Sequence, residues 1–457
     1  MDFQVIVIGA GPGGYPAALE AARLGAKTCL IEADRVGGTC LNRGCIPTKA
    51  LVESASALRL AKKAAEFGVK TGEVVLDYRR THARQEEIVS KVRKGVHFLL
   101  EKNKVTLVAG KGRLAGPHQV EVVRENGQTE ILTGEKIILA TGSEPLLPAG
   151  LSYDGEAVVS STDLLEMDAP PESLLIVGGG VIGCEFAGIY SEMGVSVTLV
   201  EAQPTILPNV DEDLARKLQS LFKQRGVNLR TRTKIRKVSR TGGVVKVELE
   251  DGSEIVAEKV LLAVGRSLNT SGLGLEEAGV ALGGRGEVLV NERLETSVPG
   301  VYAVGDITGK ALLAHVATAQ GLAAASNALG LSKEVDYSAV PNCIFTYPEI
   351  GSVGLTTRQA KTLGIPFSTG RFPFTANGRA LCEGDAEGFV KVLASEETGK
   401  ILGMHIIGPH ATELIAEGVL AVRWGLNLEQ LEGTIHAHPT LAEALADACR
   451  LAAGRGF

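Results

Sequence analysis

The stretch QVIVIGAGPGG, residues 4–14, decides the fold that the chain is expected to adopt. It begins with an apolar run that is typical of a strand buried on both faces of a parallel sheet. Gly9, Gly11 and Gly14 then match G-x-G-x-x-G, and residues 15–24 have the apolar spacing of a helix. A second apolar strand, residues 28–31, leads to Glu32. These features predict a dinucleotide site, in which glycines let the backbone approach a pyrophosphate and the acid binds ribose hydroxyls.

The same pattern recurs in the middle of the chain. An apolar strand, residues 174–177, leads into a second glycine motif, and a second acid follows the next strand; the matching residues are Gly178, Gly180, Gly183 and Glu201. The interval from first glycine to acid is 23 positions in both copies. The repeat therefore predicts two dinucleotide sites. Glu201 would repel a 2′-phosphate, and residues 202–210 contain no arginine or lysine to bind one, which favours NAD over NADP at the second site.

Further apolar strands end in turns of small residues after each copy. These turns follow residues 137–140, 260–263 and 301–304, and they contain Thr141, Gly142, Gly265 and Asp306. Small residues let a cofactor pass close to the backbone, and the Asp306 carboxylate could bind a chain of hydroxyls.

Two cysteines, Cys40 and Cys45, lie five positions apart between glycines and a proline. Residues five apart in a regular α-helix have Cα atoms roughly 8.7 Å apart, beyond the reach of a disulfide, about 7 Å. Gly44 and Pro47 would allow the backbone to bend there. The pair is predicted to be a redox-active disulfide, with two unpaired thiols or half of a metal site as the alternatives. No C-x-x-C or H-x-x-x-H spacing accompanies it, so no metal is expected.

Length and composition limit the classes of protein. A chain of 457 residues with 45% hydrophobic and 22% charged residues is expected to be globular with several lobes. Its net charge of −6 disfavours nucleic acid and anionic membranes as partners. Residues 1–3 run directly into an apolar strand, which predicts a cytoplasmic protein. The one long uncharged run, residues 311–332, is expected to be a buried helix and not a membrane span.

The remaining patterns outline the connecting parts of the chain. Residues 50–67 and 82–102 are predicted to be long amphipathic helices. Residues 105–131 and 231–256 have alternating β-branched residues and are predicted to be small antiparallel sheets. Beyond residue 341 the pattern changes to mixed strands and helices, which marks a separate lobe.

That last lobe contains His438 and, five positions later, Glu443. Thr440 followed by Glu443 is a capping box, which would make the acid structural, and Pro439 is expected at the mouth of the helix. Alternatively, His438 is a general base that Glu443 orients. The two roles do not exclude each other.

With these residues assembled, the chain resembles the pyridine nucleotide–disulfide oxidoreductases over essentially its whole length. The resemblance implies an α/β fold with two Rossmann-like dinucleotide-binding domains, for FAD and NAD, plus a C-terminal α+β dimerisation domain. It implies an FAD-binding domain at 1–147, an NAD-binding domain at 148–270, a central domain at 271–340 that completes the FAD site, and a dimerisation domain at 341–457.

The resemblance also assigns roles to single residues. Cys40 corresponds to the thiol that exchanges with substrate, Cys45 to the thiol nearest the flavin, and His438 with Glu443 to an acid–base dyad that reaches the disulfide of the partner subunit. The residues that the resemblance and the motifs place around FAD are Gly9, Gly11, Gly14, Glu32, Lys49, Gly112, Thr141, Gly142, Asp306, Leu312, Leu313, Ala314 and His315. Those placed around NAD are Gly178, Gly180, Gly183, Glu185, Glu201 and Gly265, with Glu185 also paired to Lys49 near the flavin ring.

Within the family, the chain looks most like the members that oxidise protein-bound dihydrolipoamide to lipoamide with NAD. This implies an obligate homodimer and, as a partner, a lipoyl-bearing acyltransferase or carrier protein of a 2-oxo acid dehydrogenase or glycine cleavage complex. Three alternatives remain: a reductase of glutathione disulfide, a reductase of mercuric ion, and a non-catalytic NAD-binding scaffold. A glutathione enzyme should prefer NADP and therefore have basic residues after Glu201, which are absent here. A mercuric enzyme should have adjacent cysteines at the end of the chain, where only Cys449 occurs.

Overall fold

The structure, a computed structural model, describes residues 1–148, 150–241 and 243–456. In chain order its strands are β1 (Phe3–Ile8), β2 (Thr28–Glu32), β3 (Thr106–Ala109), β4 (Lys111–Gly116), β5 (Gln119–Val123), β6 (Thr129–Leu139), β7 (Ser143–Pro145), β8 (Val158–Val159), β9 (Ser173–Val177), β10 (Ser196–Val200), β11 (Asn228–Arg230), β12 (Ile235–Thr241), β13 (Val244–Leu249), β14 (Glu254–Ala257), β15 (Lys259–Leu262), β16 (Arg266–Leu268), β17 (Val301–Ala303), β18 (Asn342–Ile344), β19 (Glu349–Gly354), β20 (Phe367–Pro373), β21 (Phe389–Ser395) and β22 (Ile401–Gly408). Its helices are α1 (Gly14–Arg23), α2 (Gly38–Arg43), α3 (Cys45–Lys63), α4 (Tyr78–Lys102), α5 (Ser161–Leu165), α6 (Val181–Glu192), α7 (Glu212–Gln224), α8 (Ala314–Ala328), α9 (Thr357–Thr362), α10 (Gly378–Cys382), α11 (Ala411–Trp424), α12 (Leu428–Glu432) and α13 (Glu443–Ala452).

The first sheet has the order β3-β2-β1-β6-β17, and all of these pairings are parallel. Its central strand β1 places Val7 opposite Leu30 of β2 and Ile138 of β6. These three side chains are fully buried, as expected for a strand covered on both faces. The other half of the long strand β6 pairs antiparallel with β5, and β5 with β4.

The second sheet repeats the first. Its order is β11-β10-β9-β15-β8, again parallel throughout, with β9 and β10 in the places of β1 and β2. A three-stranded antiparallel sheet, β12-β13-β14, accompanies it. The repeat in the sequence therefore corresponds to two copies of one α/β architecture, which confirms the predicted fold class.

The C-terminal part has a different architecture. Its sheet, β18-β19-β22-β21-β20, is antiparallel, and α11 and α13 pack against it. The buried cluster between them includes Val392, Met404, Ile415 and Leu445. The change of architecture after residue 341 agrees with the predicted separate lobe, whereas the bounds of the four predicted domains stay predictions.

Several element predictions need correction. The first predicted helix begins at Cys45 and not at residue 50, and residues 64–67 form a 3-10 turn after it. Of the segment predicted as a small antiparallel sheet, β3 instead joins the parallel sheet beside β2, because its backbone groups pair with those of β2 at the edge of that sheet. The uncharged run contains the helix α8, where Ala324 and Ala325 are fully buried. Within the described residues, no helix is both long and apolar enough to cross a membrane.

A buried ion-pair cluster joins the second repeat to the C-terminal sheet. Lys391 of β21 donates to Asp211 Oδ1 at 2.8 Å and to Asp213 Oδ2 at 2.6 Å, and its side chain is only 6% exposed. Asp211 also accepts from the backbone and hydroxyl of Thr357. Burial opposes ionisation of Asp211, but the hydrogen bond from Lys391 and the other donors lower its pKa below the ordinary value. The cluster therefore stabilises the packing of α7 against β21.

Replacing Lys391 with methionine is expected to destabilise the fold by roughly 3–5 kcal/mol, because it leaves the Asp211 carboxylate buried without its cation. The matched control is Lys246→Met, which breaks the exposed pair with Glu254 and should cost less than about 1 kcal/mol. The measurement is the urea midpoint of each variant. Equal midpoints for the two variants would contradict the stabilising role of the cluster.

Candidate active site

The first and last glycines of both fingerprints are required by the packing of the chain itself. A Cβ on Gly9 would lie 2.4 Å from the carbonyl oxygen of Ala140, and one on Gly178 would lie 2.3 Å from that of Ala263. At Gly14 and Gly183 a Cβ would collide with the carbonyl oxygen of the first glycine of the same motif. Each strand therefore turns tightly into its helix.

The middle glycines serve a different purpose. A Cβ on Gly180 would have no neighbour within 4 Å, and one on Gly11 would meet only the Cα of Gly38 at 3.9 Å. Both residues border open space in front of a helix N-terminus, where backbone N–H groups favour a phosphate. The two cradles therefore fit the pyrophosphate of a dinucleotide, and a side chain at either glycine would fill that space.

The two acids are held in the same way in both repeats. Glu32 accepts from the N–H of Ala10 at 2.7 Å and from that of Asp34 at 2.8 Å. Glu201 accepts from the N–H of Gly179 at 2.6 Å and from that of Gln203 at 2.7 Å. Burial raises the pKa of Glu32, against the lowering effect of these hydrogen bonds. Both carboxylates therefore lie beside their glycine turns, where a ribose would bind.

The other residues predicted to line the first site lie mostly at the carboxyl edge of the first sheet. Thr141 and Gly142, just after β6, form backbone and side-chain hydrogen bonds with Asn269. Asp306, just after β17, accepts a hydrogen bond from Ser143. This edge is the usual ligand side of a parallel sheet.

Two further sets of residues predicted to line the first site lie on other elements. Gly112 of β4 packs against the side chains of Ile8 and Ile31 at the ends of β1 and β2. Leu312 and Leu313 directly precede α8, Ala314 and His315 begin it, and α8 packs on α1. The His315 ring contacts the carbonyl oxygen of Pro341 at 3.0 Å. The structure thus brings these residues to the first fingerprint, and their contact with a cofactor stays a prediction.

In the second repeat, Gly265 follows β15 with a φ of 140° and faces Leu146. It lies at the carboxyl edge of the second sheet, like Gly178. Next to it, the Arg266 side chain donates to the hydroxyl of Ser143 at 2.7 Å and lies 3.8 Å from Asp306. Burial lowers the pKa of Arg266, and Asp306 and Cys45 oppose that effect. Sequence reasoning missed Arg266, although its place directly after a predicted cofactor glycine could have drawn attention to it.

The cysteine pair lies at a break between two helices, as the sequence predicted. Cys40 is in α2 and Cys45 begins α3, with Gly44 between them at φ −144° and ψ −111°. A Cβ on Gly44 would lie 2.9 Å from the carbonyl oxygen of Thr39. Pro47 lies in the first turn of α3, where its missing N–H is tolerated. The structure has the two cysteines as free thiols, so their oxidised pairing stays a prediction.

The two thiols ionise very differently. The hydrogen bond to Cys45 and burial raise the pKa of Cys40 far above its ordinary value. The hydrogen bond from Cys40, assisted by the charge of Lys49, lowers the pKa of Cys45 to about 7. The pair therefore favours a thiolate on Cys45 while Cys40 keeps its proton.

We expect the reduced protein to show one thiolate that appears as the pH rises through about 7. Replacing Cys40 with alanine removes the donor, so the pKa of Cys45 should rise by roughly one unit or more. The measurement is a titration of the ultraviolet absorbance of the thiolate. The control is Cys382→Ala, at an exposed cysteine, which should leave the midpoint unchanged; an unchanged midpoint for Cys40→Ala as well would contradict the assignment.

Lys49 is fixed by a buried acid of the second repeat. Its Nζ donates to both oxygens of Glu185 at 2.9 Å, and Glu185 also accepts from the N–H of Phe345 at 3.0 Å. The Lys49 ammonium lies 4.4 Å from the centroid of the Phe345 ring. The predicted Lys49–Glu185 pair thus joins α3 to α6 beside the thiols. The predicted contact of Glu185 with NAD stays a prediction.

His438 and Glu443 form the predicted pair, and Nδ1 of the imidazole lies 2.9 Å from Glu443 Oε1. The other oxygen, Oε2, accepts from the N–H of Thr440 at 2.8 Å. Only half of the predicted capping box is present, because the Thr440 hydroxyl donates to the carbonyl of Ala437. The helix also begins at Glu443, and Pro439 lies before its first turn. The Glu443 carboxylate therefore contacts both the backbone before the helix and the ring of His438.

The His438 side chain is 81% exposed, and among the described residues its hydrogen bonds and ion pairs involve Glu443 and neither cysteine of the same chain. The exposed apolar residues Ile435 and Trp424 lie in the same part of the chain. The described residues contain no group of three or more His, Cys, Asp or Glu side chains arranged to hold a metal ion.

Two comparisons identify relatives. A family model for pyridine nucleotide-disulphide oxidoreductase matches residues 3–321, and a model for the dimerisation domain of that family matches residues 340–449. The chain is 45% identical over 452 residues to a dihydrolipoyl dehydrogenase of Thermus scotoductus, covering 98% of this chain and 96% of the relative. It is 42% identical over 451 residues to a dihydrolipoyl dehydrogenase of Chlamydia pneumoniae, covering 99% and 97%.

A solved structure extends the likeness to the fold. LpdA from Mycobacterium tuberculosis superposes with a TM-score of 0.92 at 32% identity, and the match covers 98% of this chain and 99% of that one. The repeated α/β architecture, the paired thiols and the C-terminal sheet agree with these matches. This chain therefore belongs to the pyridine nucleotide-disulphide oxidoreductase family.

Proposed function

We propose that this chain is an FAD-dependent enzyme that oxidises protein-bound dihydrolipoamide to lipoamide and reduces NAD to NADH. The observation that carries the proposal is the hydrogen-bonded pair of Cys40 and Cys45 beside Lys49, with a lowered pKa at Cys45. A dithiol of this kind is suited to thiol–disulfide exchange, since thiolates are the attacking and leaving groups. The names of the relatives point to the same substrate.

The exchange begins from the oxidised pair. His438 accepts a proton from one substrate thiol, and the resulting thiolate attacks the Sγ of Cys40. The S–S bond breaks, Cys45 leaves as a thiolate, and a mixed disulfide joins substrate to Cys40. The second substrate thiol then attacks the substrate sulfur of the mixed disulfide, the bond to Cys40 breaks, and the proton of that thiol passes to the departing Cys40 thiolate. The substrate is thereby oxidised to a disulfide and the cysteine pair is reduced by two electrons.

The residues of this chain fit both cofactors of the family. Gly11 and Gly180 leave the two cradles open, and Glu32 and Glu201 lie beside them. FAD, when bound, supplies an acceptor for the electron pair of the dithiol, and NAD supplies the final acceptor of a hydride. Lys49, held by Glu185, keeps a positive charge next to the Cys45 thiolate. Glu201 disfavours a 2′-phosphate, which supports NAD as the nucleotide.

The enzyme is expected to act as a homodimer, since the chain carries the dimerisation domain of the family. The exposure of His438 in one chain supports a role of its dyad at the site of the partner subunit. We also propose that the substrate is carried by another chain, a lipoyl-bearing acyltransferase or carrier protein of a 2-oxo acid dehydrogenase or glycine cleavage complex.

The test is a set of three steady-state assays with the FAD-loaded dimer: dihydrolipoamide with NAD, glutathione disulfide with NADPH, and mercuric ion with NADPH. The first combination is expected to have a kcat/KM at least about a hundredfold higher than either of the others. Preference for either alternative substrate would overturn the proposal in favour of that reductase. Bound FAD and NAD without turnover of any of the three substrates would favour a scaffold.

A further inference from the structure

A second imidazole–carboxylate pair lies two residues before His438. The His436 ring contacts Glu417 Oε1 through Nε2 at 2.8 Å and the carbonyl oxygen of Thr434 through Nδ1 at 2.9 Å. Its side chain is 9% exposed, in contrast to 81% for His438. One histidine of this short segment is therefore buried and anchored, and the other faces outward.

Both partners of the His436 ring are acceptors. The carbonyl oxygen of Thr434 contacts Nδ1 and the carboxylate of Glu417, on α11, contacts Nε2, so both ring nitrogens have a partner. The ring is therefore fixed in its orientation and joins residues 434–436 to α11.

The His436–Glu417 pair lies among several carboxylates. The backbone hydrogen bond from Thr440 and the contact with His438 lower the pKa of Glu443. Burial and Glu443 raise the pKa of Asp447. Other titratable or charged groups of this corner are Glu432, which pairs with Arg455, and Cys449 and Arg450 on α13.

The same contact anchors the segment that carries the dyad. Residues 434–439 lie between α12 and α13 without regular structure. Within it Ile435 is 97% exposed and His438 is held by Glu443. The bond from His436 to Glu417 ties this segment to α11, which packs on the sheet.

We propose that His436 is a positioning residue for the proposed reaction: its ring, in contact with Glu417 and with the carbonyl of Thr434, holds the segment that carries His438 in place against α11. It touches neither substrate nor cysteine, and it acts through the dyad. This inference rests on the proposed oxidation of dihydrolipoamide, in which the unprotonated dyad accepts the substrate proton.

Two variants test this anchor. His436→Gln removes the anchoring ring, and it is expected to lower kcat/KM for dihydrolipoamide by about tenfold to a hundredfold. Glu417→Gln keeps an oxygen that can accept a hydrogen bond from the ring, and it is expected to keep most of the wild-type rate.

The loss is expected in kcat with little change in KM, because the anchored segment places the proton acceptor and does not bind the rest of the substrate. A residue with a structural role alone would also lower the rate of NADH oxidation by ferricyanide.

The control is His118→Gln, which removes an exposed histidine whose ring contacts the carbonyl of Gly134, far from His436 along the chain. It should keep the wild-type rate, and NADH oxidation with ferricyanide should be unchanged in all three variants. A wild-type kcat in His436→Gln would overturn this inference. Absence of dihydrolipoamide turnover in the wild-type enzyme would instead overturn the proposed function.

Discussion

Serine in place of Cys40 is expected to lower the turnover of dihydrolipoamide by at least about a thousandfold. The reaction needs a sulfur atom that can form a mixed disulfide with substrate, and a serine hydroxyl cannot form one. Binding of FAD should survive, because Cys40 lies outside the glycine cradle of the first repeat. The measurement is steady-state turnover at saturating NAD, with NADH oxidation by ferricyanide as the check that the cofactor sites remain intact.

An electron count gives a second, independent readout of the same variant. The wild-type enzyme should take up about four electrons per bound FAD from dithionite, since flavin and disulfide each accept a pair, and Cys40→Ser should take up about two. Cys382→Ser, at the exposed cysteine of α10, is the matched control and should behave like the wild type. Two electrons in the wild type would reject the redox-active disulfide.

Glutamine in place of His438 is expected to lower the turnover of dihydrolipoamide by about 10²–10⁴-fold, because the general base is lost. His97→Gln, at an exposed histidine of α4, should leave the rate unchanged. Near-normal turnover of His438→Gln would reject the dyad as the base.

Mixing the two inactive variants tests where the dyad acts. In a dimer of one Cys40→Ser subunit and one His438→Gln subunit, the site that combines the intact Cys40 with the intact His438 across the twofold axis would be complete. Random reassociation should then restore about a quarter of the wild-type activity, because half of the dimers are mixed and one of the two sites in each mixed dimer is complete. If each His438 served its own chain, no activity would return.

Short-range patterns explain why so much of the fold could be predicted. The interval between Gly9 and Glu32 spans one strand, one helix and one strand, and each of these elements is set by neighbouring residues. The Gly44 break likewise depends on local sterics between consecutive turns. The predictions were wrong where strand pairing depends on distant segments. β3 pairs with β2, and these two strands are more than seventy residues apart along the chain.

The site shows the same division. The sequence by itself determined the repeated cradles, the bent cysteine pair and the His438–Glu443 spacing, because each is a local arrangement within one or two elements. Only the tertiary structure decided that Lys49 is held by Glu185, that Arg266 meets Asp306, and that His436 is buried against Glu417 while His438 is exposed. Burial and charge at these places come from segments that meet only after folding, and no spacing along the chain encodes them.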